Sequence, residues 1–219
     1  MSKNVLFIIT SRDKYDDGTP TGLWLEEASE PYNILTEAGI GVDIVSIEGG
    51  EIPLDPNSTQ NDELNQYAEF VEMLKQVPSI ENIDVAQYDA VYLPGGHGTV
   101  FDFAHNQQLA DIIADFKEEN KIISSVCHGP SAFVGAKDKQ GNFLVKDVTL
   151  TSFTDSEERT MGLENKVPFL TQTELENQGA KFVTKDDFAE HVESDAQFIT
   201  GQNPQSSVAI GKAIRDALK

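Results

Sequence analysis

Short runs of apolar, often β-branched residues alternate along the chain with longer stretches in which apolar positions recur every three or four residues. Val5-Leu6-Phe7-Ile8-Ile9 is apolar throughout, as expected of a strand buried on both faces. Residues 23–38 carry helical spacing and end at Gly39, a residue suited to a left-handed helix cap. Residues 42–47 read as a second strand. A polar stretch, 49–61, leads into a helix over 62–75. Residues 90–93 form a third strand that runs into Pro94-Gly95-Gly96-His97-Gly98. A helix over 106–119 precedes a fourth strand over 121–126. Residues 148–151, 181–184 and 197–200 are further strand candidates. The chain closes with a helix over 204–218, proline at its first position and Val208, Ile210, Ile214 and Leu218 along one side.

This repeated strand–helix–strand order predicts an α/β fold with a mainly parallel sheet covered by helices on both faces. There is no internal repeat, low-complexity tract or linker composition, so residues 1–219 read as one domain, with 57–85 as a small helical insertion or cap. Charge narrows the function. With 37 acidic against 16 basic residues the net charge is −21, and no basic stripe exists to meet nucleic-acid phosphates. The surplus acid reads as a solvated surface. No apolar run approaches the roughly 20 residues of a membrane helix. The apolar run at the N-terminus is too short for a signal peptide, which predicts a cytoplasmic protein. The single cysteine excludes an internal disulfide framework and a cysteine-rich zinc site.

Ligands of such sheets gather beyond the carboxyl ends of the strands, and three of those ends carry unusual residues. In Ser124-Ser125-Val126-Cys127-His128-Gly129-Pro130 a buried strand turns directly into a helix start. A residue in that turn stands exposed at the top of the sheet, as in a nucleophile elbow. A lone cysteine is commonly a small buried hydrophobe, but this placement favours a nucleophile, with a helix N-terminus expected to lower the thiol pKa. At Gly95-Gly96-His97 the glycines free backbone N–H groups for an oxyanion, using the amides around Gly96 and Cys127. His97 is placed either to touch substrate or to cap the turn. The third end leads to a helix crowded with Glu26, Glu27 and Glu30, among which periodicity does not choose. The loop over 11–21, rich in Asp, Gly and Pro, is expected to border the pocket entrance.

Taken together, five ordered motifs carry a resemblance. They are Gly22-x4-Glu27-x3-Pro31, Pro94-Gly95-Gly96-His97-Gly98, Val126-Cys127-His128-Gly129-Pro130, Phe153-Thr154-Asp155-x2-Glu158 and Ile199-Thr200-Gly201-Gln202-Asn203-Pro204. The set resembles the ThiJ/PfpI superfamily, which shares its fold with class I glutamine amidotransferases, and within it the heat-shock chaperone branch of glutathione-independent glyoxalase III enzymes. That resemblance implies a flavodoxin-like three-layer sandwich and a homodimer. It also implies a cofactor-free lyase of the D-lactate dehydratase type that turns 2-oxoaldehydes such as methylglyoxal into 2-hydroxy acids in a stress response or, by the same cysteine chemistry, deglycates early sugar adducts. Some relatives carry a two-His-one-Glu metal site, but the sequence shows no matching pattern and no metal is expected. The resemblance assigns Cys127 as nucleophile, His128 as its base, Glu158 as the acid orienting that histidine, and Glu27 as a carboxyl that hydrogen-bonds the sulfur and shuttles protons. A carboxyl beside a thiolate should have a raised pKa, since like charges resist sharing a site. Two other readings stay open. A Cys amidase or peptidase would use His191 and Glu193, whose spacing puts both on one face of a strand. A stress chaperone or redox sensor would use the cysteine without turnover.

Overall fold

The computed structural model describes residues 2–219. The strands are β1 (Asn4–Ile9), β2 (Gly41–Ser46), β3 (Ala90–Leu93), β4 (Ile122–Val126), β5 (Thr149–Leu150), β6 (Lys181–Phe182), β7 (Val192–Asp195) and β8 (Phe198–Gly201). The helices are α1 (Leu25–Glu37), α2 (Glu63–Gln66), α3 (Ala68–Met73), α4 (Thr99–Asp102), α5 (Gln107–Glu118), α6 (Asp155–Thr160), α7 (Thr171–Asn177) and α8 (Ser207–Ala217). The main sheet runs β2-β1-β3-β4-β8-β7, parallel except for the antiparallel edge strand β7. This is the flavodoxin-like sandwich with helices on both faces.

Alternation along the strands sorts the core into two layers. Val5, Phe7, Ala90, Tyr92 and Val126 pack with α1 and α8 through Leu25, Ala28, Leu35, Ile210 and Ile214. Leu6, Ile8, Val91, Leu93 and Ile123 pack on the other face against Leu109, Ile113 and Phe116 of α5. Asn106 caps α5, its side chain accepting from Leu109 N at 3.1 Å. The chain leaves β1 toward β2 on one side and returns to β3 on the other. The crevice at that reversal opens at the strands' carboxyl ends.

Three expectations need correction. The helix expected over 62–75 is broken at Tyr67 into α2 and α3: Tyr67 has left helical geometry (φ −112, ψ 29), and its buried ring reaches α1, where the hydroxyl donates to Glu30 Oε1 at 2.5 Å. Residues 57–85 drape over the β2 edge, burying Phe70 and Leu74 against one layer and Ile80 and Val85 against the other. The strand candidates near 149 and 181 do not join the main sheet but pair with each other. β7, expected as a strand only in the alternative reading that set His191 and Glu193 on one face, carries the polar sequence Val-Glu-Ser-Asp and is only half-buried, so it shows no apolar run. Nothing in its composition marks it as sheet.

Candidate active site

Cys127 follows β4 with φ +59, a left-handed conformation that costs a non-glycine residue on the order of 1–3 kcal/mol. This is the strained strand-to-turn elbow expected from the sequence, but the residue is buried rather than exposed, reaching only the cavity above it. The turn is locked by its neighbours. Phe153 N donates to Cys127 O at 2.8 Å, and Cys127 N donates to Gly201 O at 3.0 Å. That second bond corrects the oxyanion assignment, because the Cys127 amide is committed to β8. The N–H groups of Gly96 and His128 have no acceptor among the described residues. They are free to face an oxyanion.

The glycines at the end of β3 are there for clearance. A Cβ on Gly95 would lie 2.7 Å from Glu27 Oε1 and 2.8 Å from His128 N. One on Gly96, at φ +102, would lie 2.0 Å from Gly22 O. Through this close approach Gly95 N donates to Glu27 Oε1 at 2.8 Å. Of the four glutamates in α1, Glu27 is the one wholly buried. Its Oε2 is buried without a hydrogen-bond partner among the described residues. Burial, only partly offset by Gly95, pushes the Glu27 carboxyl well above the usual range. Burial first and the Glu27 charge second also push the Cys127 thiol up, which overturns the expected lowering. A short 3₁₀ turn, Gly129–Phe133, stands after the elbow in place of a full helix, and Cys127 is only 3% exposed. The helix-end effect is therefore small against desolvation.

His128 turns its ring toward the sulfur, with Nδ1 3.4 Å from Sγ, while its Nε2 lies 2.5 Å from Glu158 Oε2. Glu158 also takes a second imidazole: His97 Nε2 lies 2.5 Å from Oε1. His97 therefore caps no turn. Its ring lies 3.9 Å from that of His128 and shares the same carboxylate. Burial pushes Glu158 up, but the charge and hydrogen bonds of His128 and His97 outweigh it and hold the acid well below the carboxylate range. With Glu158 ionised, both rings donate from Nε2, which leaves His128 Nδ1 as an acceptor facing the thiol. Burial and the neighbouring His97 lower the His128 pKa against the pull of Glu158, so the ring stays neutral and able to take a proton. His97, His128 and Glu158 offer donor atoms within 4.8 Å of one another, a set that could hold a metal ion and that the spacing in the sequence does not reveal. Hydrogen bonds already satisfy all three.

Glu158 owes its position to α6. Thr154 caps that helix, and Glu157 closes a capping box with it. Glu157 is buried and also accepts from Phe188 N at 2.9 Å and from Gln202 and Asn203 side chains at 3.1 and 3.0 Å. One carboxylate thus fixes the helix that presents Glu158 and two walls of the cavity, Phe188 and Pro204. The cavity over Cys127 measures about 310 Å³. Besides Gly96, His97 and His128 it is lined by Trp24, Phe153, Met161, Phe188, Pro204 and Gln205. This aromatic wall leaves no sign in the sequence, because its members come from separate loops with no periodic pattern.

The loop over 11–21 lies beside the site without lining this cavity. Tyr15 packs on His97, ring centres 5.7 Å apart, while Ser11 and Asp13 line a separate cleft of about 450 Å³ that contains none of the clustered groups. Asp102, at the end of α4, gathers the start of that loop by accepting from Thr10 Oγ1, Ser11 N and Arg12 N at 2.8, 2.7 and 3.1 Å. Burial outweighs these bonds and pushes its carboxyl up to about 6. His191 Nε2 lies 3.2 Å from Glu193 Oε1 without a hydrogen bond between them, and the two residues line neither space.

The DJ-1/PfpI family model matches residues 21–217. A glutathione-independent glyoxalase of Saccharomyces cerevisiae is 31% identical over 99% of this chain and 98% of its own length. The crystal structure of a 24 kDa rapid encystment protein from Francisella tularensis superposes with a TM-score of 0.94 at 37% identity, covering 99% of both chains. Glyoxalase III of Candida albicans superposes with a TM-score of 0.88 at 28% identity, covering 98% of this chain and 97% of its own. Among the described residues no helix is long and apolar enough to cross a membrane.

Proposed function

The chain belongs to the DJ-1/PfpI family, and from that footing we propose that it converts 2-oxoaldehydes such as methylglyoxal into 2-hydroxy acids without glutathione, using Cys127 as nucleophile. One observation carries the reading. The thiol stands between a buried carboxyl with a free oxygen, Glu27, and a neutral imidazole held by an ionised acid, His128 on Glu158. All of this borders a small, mostly apolar cavity suited to a short uncharged substrate.

The chemistry balances without any redox cofactor. Sγ adds to the aldehyde carbon while the thiol proton passes to His128 Nδ1 and on to the former aldehyde oxygen, giving a hemithioacetal. The N–H groups of Gly96 and His128 hold the developing oxyanion. Glu27, neutral at rest, gives its proton to the C2 oxygen and, now ionised, takes the proton from C1 through its free oxygen to leave an enediol. It then returns that proton to C2 and takes up the proton of the C1 hydroxyl, which ends it neutral again. Its raised pKa makes it a stronger base than an ordinary carboxylate. C1 is thereby oxidised and C2 reduced by the same two electrons, which leaves a thioester of the 2-hydroxy acid. Water, deprotonated by His128, cleaves the thioester and restores the thiol. Glu158 stabilises the imidazolium each time it forms.

The test is incubation of purified protein with methylglyoxal in glutathione-free buffer, then chiral chromatography of lactate. Stoichiometric formation of one lactate enantiomer supports the reading. Consumption of methylglyoxal without lactate, or no consumption at all, rejects it.

A further inference from the structure

Glu27 is placed by a device that begins four residues downstream. Helix α1 carries Pro31 in its interior. A proline has no N–H, so the carbonyl four residues before it loses its helical donor, and the ring pushes that carbonyl outward. Here the deprived carbonyl belongs to Glu27 itself. It is not left unpaired: the hydroxyl of Tyr92 donates to Glu27 O at 2.5 Å. Tyr92 is wholly buried on β3, set edge-on against Phe7 with ring centres 4.9 Å apart. β3 then runs into Gly95, whose N–H holds the Glu27 side chain. Room for the proline is provided from the other side, where a Cβ on Gly211 of α8 would lie 3.0 Å from Pro31 Cα.

We propose that Pro31 and Tyr92 act together as positioning residues for Glu27. The proline strips a helical hydrogen bond from the Glu27 carbonyl so that the tyrosine can tie that residue to the strand leading into the site. An ordinary helix is bonded to itself and rests on its sheet through apolar contacts alone, which permit small sliding movements. This helix is pinned to the sheet by main chain and side chain of the same residue. The pinning fixes the Glu27 carboxyl beside Cys127, where a displacement of about 1 Å can cost roughly a hundredfold in rate. The catalytic part of this proposal rests on the reading of Glu27 as the proton-moving group.

Tyr92→Phe, Pro31→Ala and the double variant test it, with three readouts: the urea midpoint, kcat and KM on methylglyoxal, and the pH midpoint of Cys127 alkylation by iodoacetamide. Tyr92→Phe orphans a buried carbonyl, so the urea midpoint falls. Its kcat drops tenfold or more with KM within twofold, and the alkylation midpoint moves down as the Glu27 charge leaves the thiol. Adding Pro31→Ala supplies an N–H to that carbonyl, so the urea midpoint recovers. The kcat and the alkylation midpoint stay displaced, because the tie to β3 is still missing. A wild-type alkylation midpoint in Tyr92→Phe overturns the positioning role whatever the activity, and a double variant with no recovered stability overturns the part assigned to Pro31. An unchanged kcat in Glu27→Gln strikes instead at the proton-transfer reading. The urea and alkylation results then judge the tie alone.

Discussion

Replacing Glu158 by glutamine puts one acceptor oxygen and one NH₂ where two imidazole N–H groups now meet two carboxylate oxygens at 2.5 Å each. Only one ring can keep its donor bond. The other faces a donor and must shift its proton from Nε2 to Nδ1. If that ring is His128, the shifted proton points at Sγ, 3.4 Å away, and the base can no longer accept the thiol proton. Loss of the correct tautomer is worth about 10⁴ in kcat, or roughly 5.4 kcal/mol at 1.36 kcal/mol per tenfold. If His97 shifts instead, His128 keeps a neutral acceptor in place of a charged one. That difference is about 1–2 kcal/mol, or roughly five- to thirtyfold. Either way kcat falls at least about fivefold, with KM little changed because Glu158 does not line the cavity. The assay is glutathione-free methylglyoxal turnover at saturation, with a thermal melt to verify the fold. The variant also changes the acid limb of stability. A carboxyl held below its unfolded pKa of about 4.3 stabilises the protein above that pH and loses this contribution as pH falls toward the depressed value. The variant lacks that part of the acid-induced loss. A folded Glu158→Gln enzyme with kcat within threefold of wild type would refute the assignment.

Cys127→Ser should abolish lactate formation while leaving the melting curve intact, since a hydroxyl is a far weaker nucleophile at neutral pH; residual turnover above a tenth of wild type would exclude the covalent route. Glu27→Gln keeps the size and a hydrogen-bonding group but cannot carry the proton, so steady-state kinetics should show kcat falling far more than KM rises. Asp102, pushed up to about 6 from an unfolded value near 3.9, favours the folded state only while protonated. Its contribution should therefore decline by roughly 3 kcal/mol as pH rises from about 4 through 6. Urea midpoints of Asp102→Asn should depend less on pH across that window than wild type, and parallel curves would contradict this.

The sheet could be read where the strands are buried on both faces. β1 and β3 are runs of apolar residues that turns or glycines delimit, β4 keeps two isoleucines and a valine around Ser124 and Ser125, and the cap of α5 is visible as Asn106. β7 could not be read, because an edge strand of Val-Glu-Ser-Asp carries no core pattern. The break at Tyr67 was equally hidden, since it depends on a partner, Glu30, on another helix. Within the site, the elbow at Cys127 follows from a strand running into Gly129-Pro130, and the observed φ agrees with it. Choosing Glu27 among three glutamates required the Gly95 contact, which is tertiary. The bridge from His97 to Glu158 joins residues 61 positions apart. The raised thiol pKa comes from burial, a quantity that a local motif does not contain.

The Glu158 bridge also bears on how the protein fails when heated. The two imidazoles stand on loops after β3 and β4, and the carboxylate stands on α6, which Glu157 fastens to residues just past β8. These are central parallel strands with fully buried side chains, the parts of a fold that open last. No peripheral flap carries a member of the cluster, so no partial melting can silence it ahead of the whole. Inactivation and denaturation should therefore trace one curve, and the working shelf life of the protein should be set by the rate at which the entire sheet comes apart.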